Sequence, residues 1–320
     1  MKNAVIITTT FYTDSEEGKL RKNLARNFFI KASEKDYPVC LVDGGTDNGK
    51  FIEEVRSLGV NSYEETQHGL GGSRREALKY GLKFAFDNNL PYIVWSEPEK
   101  GDFVSSLDEL VLNMDKTKTH LIVPSRKKFE NYPLTQINSE SFGNQRHTDY
   151  GYVDKNKKPL DTFFGPKIWR KEISGFFQVF ENPKVAAELA KMRLENLEKL
   201  YKINTTKEIE EIELKKAITD LKRTDHMQHM PVCMMIKKNG TIFGTIPEKR
   251  EYNVLSVDID YKHPEEQLEL ESRQQSFYNA KRLNQVKALD EQFALVDRIH
   301  KRGVLDKELD ALLMNYKGEH

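Results

Sequence analysis

Tyr92-Ile-Val-Trp-Ser-Glu-Pro-Glu-Lys-Gly-Asp102 is the stretch on which the reading of this chain turns. Four apolar residues in a row, aromatic or β-branched, read as a strand buried on both faces. The run then breaks into Glu97, Glu99, Lys100 and Asp102. Ligands of open α/β sheets sit in the crevice beyond the carboxyl ends of the strands, so acids at that point are the layout of an α/β site. Glu97 and Glu99 are two apart, with Pro98 stiffening the turn, so both can aim at one point. Hard divalent cations such as Mg²⁺ or Mn²⁺ take such oxygen ligands and share them with substrate phosphates.

Working outward, Ala4 to Thr8, Pro38 to Val42, Val60 to Glu64 and His120 to Val123 read as further short strands. Between them the spacing predicts helices. Leu20, Leu24, Phe28, Phe29 and Ala32 mark one over 19–35, and Gly59 closes another over 51–58. Ser73 with Glu76, and Ser106 with Glu109, have capping-box spacing and set two further starts. Strand and helix alternate, which predicts a mostly parallel central sheet flanked by helices. Residues 127–160 are polar and aromatic without a period, and are expected as a long loop or cover. Asp161 to Arg170 is expected to lead into a helix, followed by helices over 183–201, 208–223 and 226–238, the last with a strand through Val232 to Ile236 as its alternative because Pro231 weakens a helix there. Thr241 to Ile246 and Tyr252 to Asp258 read as strands. From residue 265 the pattern is helical, giving a main domain over 1–264 and a C-terminal helical extension over 265–320. That extension is read as solvated packing or homo-oligomer contact without chemistry.

The 50 basic and 50 acidic residues cancel, so no global field draws the chain to nucleic acid or membrane. Any anion site must be local. No apolar run approaches the ~20 residues of a membrane span. The N-terminus enters a strand directly, and Cys40 and Cys233 lie in apolar runs as buried free thiols. A cytoplasmic enzyme is the expectation. One local anion site offers itself in Gln67-His-Gly-Leu-Gly-Gly-Ser-Arg-Arg-Glu76. The capping box would place Arg74 and Arg75 in a first helical turn, where the dipole disfavours cations. Breaking that rule behind three glycines suggests a docked anion, the plainer alternative being two solvated arginines.

In this order the parts resemble the GT-A type nucleotide-sugar glycosyltransferases, closest in layout to the family 2 and mannosylglycerate-synthase-like branches. Val5-Ile-Ile-Thr-Thr9, Leu41-Val-Asp43-Gly-Gly-Thr-Asp47, Gly69-Leu-Gly71-Gly-Ser-Arg74-Arg75, Trp95-Ser-Glu97-Pro-Glu99 and Ile122-Val-Pro-Ser-Arg126 stand where that family has its donor-site segments. The resemblance runs over residues 3 to 126 and more loosely to 263. It implies a Rossmann-like GT-A fold and a UDP- or GDP-sugar donor. The acceptor, a small molecule, a glycan or a lipid-linked molecule, stays unnamed. It assigns Thr9, Asp43, Gly71, Arg74, Arg75 and Arg126 to the donor, Glu97, Glu99 and His263 to a divalent cation, and Asp225 to the acceptor as base. Two plainer roles stand beside these: an Asx turn for Asp43 and a helix N-cap for Asp225. The family's metal motif is usually two aspartates. Here it is Glu-Pro-Glu followed by Lys100, which can instead pair with an acid and replace the metal's charge, giving a metal-independent or inactive protein. A nucleotidyltransferase is a further alternative, disfavoured because Thr8-Thr-Thr-Phe-Tyr12 carries no Gly, Arg or Lys. His226 and His229 could share a metal but lack a third ligand in reach. Trp169, Phe163 and Phe164 could stack on a sugar and are more often core.

Overall fold

The computed structural model describes residues 2–127, 132–202, 204–223, 228–245 and 251–317. The elements run β1 (Ala4–Thr10), α1 (Glu16–Glu34), β2 (Val39–Asp43), α2 (Lys50–Arg56), β3 (Asn61–Glu64), α3 (Leu70–Asp87), β4 (Tyr92–Trp95), α4 (Gly101–Thr117) and β5 (Leu121–Arg126). They continue with α5 (Leu134–Asp149), β6 (Lys167–Arg170), α6 (Gly175–Gln178), α7 (Pro183–Tyr201), α8 (Lys207–Arg223), α9 (Met230–Lys238), β7 (Val254–Ile259), α10 (Glu265–Arg273), α11 (Gln275–Arg302) and α12 (Asp306–Lys317). The strands form one sheet in the order β3-β2-β1-β4-β6-β5-β7. All neighbours are parallel except that β6 runs against both β4 and β5.

The inner strands β1, β2, β4 and β5 bury both faces, and the period of two divides their side chains between two cores. Ala4, Ile6, Tyr92 and Val94 face Phe28, Phe29 and Phe103 on one side. Val5, Ile7, Ile93 and Trp95 face Ala77, Leu78 and, farther out, Leu289 and Phe293 on the other. Helix α3 sits so close on β1 that a Cβ on Gly81 would lie 2.1 Å from the Ile7 methyl. The chain winds from β1 out to β3, then crosses back to put β4 on the other side of β1. This reversal opens a crevice beyond the carboxyl ends of β1 and β4.

Several expectations are corrected. Helix α3 starts at Leu70, not Ser73. Glu76 instead turns back to the Thr66 amide (2.9 Å) and hydroxyl, and Ser73 donates to the Gly69 carbonyl (3.0 Å) and to Glu65, so both tie down the preceding loop. Helix α4 likewise starts at Gly101, ahead of Ser106. Residues 134–149 are a helix rather than a loop. The inward face of α5 is polar, with Gln136, Glu140, Asn144 and His147 buried at helical spacing, so an apolar period cannot reveal it. Residues 167–170 form β6, too short and too cationic to show as a strand. Thr241 to Ile246 is no strand among its described residues: Phe243 makes one isolated bridge to Val153, and Ile246 lies outside them. Both cysteines are free and buried.

What fills the polar face of α5 is a buried ion network. Arg126 holds Asp161 with its Nε (2.8 Å), Nη2 (2.8 Å) and backbone amide (3.1 Å), and Glu140 with Nη2 (2.7 Å). Arg282 of α11 adds a second cation to Glu140 at 3.1 Å, and Asn144 donates to Asp161. Removing one member strands a buried charge, which costs about 3–5 kcal/mol. Asp161→Ala is therefore expected to lose that much in urea unfolding. Lys158→Ala, which breaks an exposed pair with Asp258, should stay within about 1 kcal/mol.

Candidate active site

The crevice is a cleft of about 490 Å³. Its floor is Trp95 at the end of β4 and the turn Glu97-Pro98-Glu99. One side is the loop after β1, Thr9 to Tyr12; the other is Gly69, Leu70 and Arg74, the start of α3. Arg21 reaches in from α1, and Glu65 and His68 from the loop after β3.

Buried Glu99 accepts from the Tyr12 hydroxyl (2.9 Å) and from Arg21 (2.8 Å). Glu97 accepts from Lys100 (3.0 Å) and Gln228 (3.2 Å). Burial would raise the Glu97 carboxyl, but Lys100 and Arg74 outweigh it and hold the group below its ordinary range. Glu99 in turn raises Arg21. Arg74 lies over the Trp95 ring at 4.6 Å, and burial brings its guanidinium down to about 10 against the pull of Glu97 and Glu99. Lys167, opposite Trp95 on β6, is fully buried and donates to the Gly165 carbonyl at 3.0 Å. Burial lowers its ammonium to about 7, with Glu97 opposing.

The residues expected from sequence meet here only in part. Thr9, Arg74, Glu97 and Glu99 line the cleft. Asp43 stands at its edge, but its carboxylate already accepts from Thr10 and Thr46 hydroxyls (2.6 Å each) and the Gly45 and Thr46 amides (2.9 and 2.7 Å). The Asx-turn reading of Asp43 describes this geometry, and the residue braces the β1 and β2 loops against each other. Gly71 is buried inside the first turn of α3. Arg75 points the other way, toward Glu181 at 4.0 Å and the Leu221 carbonyl. Arg126 belongs to the ion network on α5 rather than to the cleft. Trp169 is core, stacked on Phe177. Asp225 and His226 lie outside the described residues.

The donor set does not fit a divalent cation. Each carboxylate of Glu97 and Glu99 is already met by a fixed cation of the chain. His263 stacks on Tyr132 at 4.9 Å, with both ring nitrogens buried and without hydrogen bonds. Among the described residues no group of three or more His, Cys, Asp or Glu can hold a metal ion.

Arg21, Phe11 and Tyr12 were missed from sequence. Phe11 is 64% exposed at the cleft mouth, and an aromatic in the polar loop after a first strand is the signal that could have found it. Arg21 carries no such signal, since its partner Glu99 is 78 residues away. Of the C-terminal helices, read from sequence as packing or oligomer contact, α11 walls a second chamber of about 810 Å³ beside the cleft.

No protein-family model matches the chain, and no curated protein matches it. Among solved structures it is similar to the crystal structure of S. aureus TarS 1-349, at 15% identity and a TM-score of 0.32. The alignment covers 53% of this chain and 48% of that one, so it spans about half of each. Among the described residues no helix is long and apolar enough to cross a membrane.

Lys167 yields a pH test. Its folded value of about 7 lies below the ordinary 10.5. Between those values the unfolded chain binds a proton that the folded chain has shed, so stability rises with pH across that window. Thermal unfolding of the native protein from pH 7 to 10 should show this rise, and Lys167→Met should flatten it. An equal slope in the variant would show that the ammonium titrates normally.

Proposed function

We propose that this chain is a glycosyltransferase that binds a UDP- or GDP-sugar in the cleft and moves the sugar to an acceptor hydroxyl. The observation that carries the reading is the convergence of Arg21 and Arg74, from two different helices, at the carboxyl ends of β1 and β4. In the transfer, the acceptor oxygen bonds to the anomeric carbon as the bond from that carbon to the diphosphate breaks. The bonding electrons leave on the diphosphate, and preorganised cations that meet this charge lower the barrier. Arg74 and Arg21 take that role, with the start of α3 adding backbone amides. Phe11 offers a ring face to the base or the sugar. The hydroxyl proton passes to a base, for which Asp225 is proposed. Glu97 and Glu99 hold Lys100 and Arg21 in place, and no step is assigned to a divalent cation.

A second reading, a nucleotide-sugar-binding protein without turnover, is favoured by the same internal pairing of both acids. Release of UDP or GDP from the sugar nucleotide separates the two.

Calorimetric titration with UDP and GDP, in Mn²⁺ and in EDTA, tests the donor site. One of the two is expected to bind equally in both buffers. Arg74→Ala should weaken it about ten- to a hundredfold, the worth of a charge-assisted hydrogen bond. Absence of binding by either nucleotide would sink the proposal. Binding that needs Mn²⁺ and is lost in Glu99→Ala would return the two glutamates to metal duty.

A further inference from the structure

The chamber beside the cleft shares Arg21, Arg74 and Glu97 with it. Its far wall is one face of α11, where Phe277, Lys281, Asn284, Gln285, Ala288 and Gln292 recur at helical spacing. A helix that only packed would turn an apolar stripe inward. This face sets three amides and a lysine among Ala280, Ala288 and Leu289, with Phe277 57% exposed. Across from it His229 is 5% exposed, lines the chamber, and has a buried Nδ1 without a hydrogen-bond partner. Such an atom is unfavourable unless something satisfies it, and a ligand hydroxyl can.

Charge is uneven here. Among the described residues that line the chamber, Arg21, Arg74 and Lys281 carry positive charge and Glu97 negative; Arg21 is paired with Glu99 and Glu97 with Lys100, which leaves the charge of Lys281 to be accounted for. Lys281 makes no ion pair among the described residues. The acids that act on it are engaged elsewhere: Glu17 lies 4.0 Å from Arg21, and Glu271 lies 3.0 Å from Arg282.

We infer that this chamber is the acceptor subsite and that it takes a sugar bearing an anionic group, a phosphate or a carboxylate. The inference rests on the donor reading of the neighbouring cleft. Lys281 receives the anion, Asn284 and Gln285 meet hydroxyls, and Phe277 covers a ring face. His229 is a positioning residue that orients a hydroxyl toward the donor through Nδ1.

The test uses the protein saturated with whichever of UDP or GDP it binds, titrated with glucose, glucose 6-phosphate and glucuronate. At least one charged sugar is expected to bind about tenfold more tightly than glucose. Which one it is identifies the anion. Lys281→Ala and Lys281→Gln should both erase that preference and leave nucleotide affinity unchanged. Equal affinity for all three sugars, or binding of none by the nucleotide-loaded protein, overturns the inference. So does a preference that survives in both variants. A protein that binds neither nucleotide strikes the donor reading, and this inference with it.

Discussion

The sheet is covered on both faces, and that constraint organises the molecule. With Ala4, Ile6, Tyr92 and Val94 in one core and Val5, Ile7, Ile93 and Trp95 in the other, the central strands have no face left for chemistry. Polar groups can gather only past the strand ends. The reversal of winding at β1 opens that edge into a cleft, and the antiparallel β6 adds to it in a way that the parallel strands cannot. Its first residue, Lys167, lies level with the last residue of β4, so the buried ammonium is delivered under the floor of the site.

Within the cleft the acids and cations are arranged in pairs rather than as a ligand cage. Glu99 with Arg21, and Glu97 with Lys100, each join one carboxylate to one fixed charge. A buried carboxylate without a partner is costly, so these pairs make the glutamates compatible with their surroundings. They also fix where the positive ends stand. Arg74 lies over the Trp95 ring and is buried, and Glu97 and Glu99 both act on its charge.

Much of this frame was legible in the sequence. The strand runs at 4–8, 38–42, 60–64, 92–95 and 120–123, with helices between them, were enough for a mostly parallel α/β sheet. The clearest failure came where burial was polar. Helix α5 turns Gln136, Glu140 and Asn144 inward to Arg126 and Asp161, and no hydrophobic period marks such a face. The same network removed Arg126 from the site, because a strand-end arginine looks alike whether it meets a ligand or a buried aspartate. Ser73 and Glu76 had the right spacing for a cap yet serve the preceding loop, since the glycines before them let α3 begin a turn earlier. Arg21 and α11 were out of reach because their roles depend on contacts between distant parts of the chain.

The strand order also sets a timetable for synthesis. β1 to β4 are neighbours drawn from the first 95 residues, so that half of the sheet can close as soon as it is made. β5 is different. Its antiparallel neighbour β6 comes only with Lys167–Arg170, and its parallel neighbour β7 only with Val254–Ile259. Until then a nascent chain carries Leu121, Ile122 and Val123 on an unpaired edge, the kind of exposed apolar strand that invites pairing with another chain. The segment that completes the sheet on this side is made only after α5 to α9, so the interval of greatest exposure to aggregation is set by topology rather than by composition.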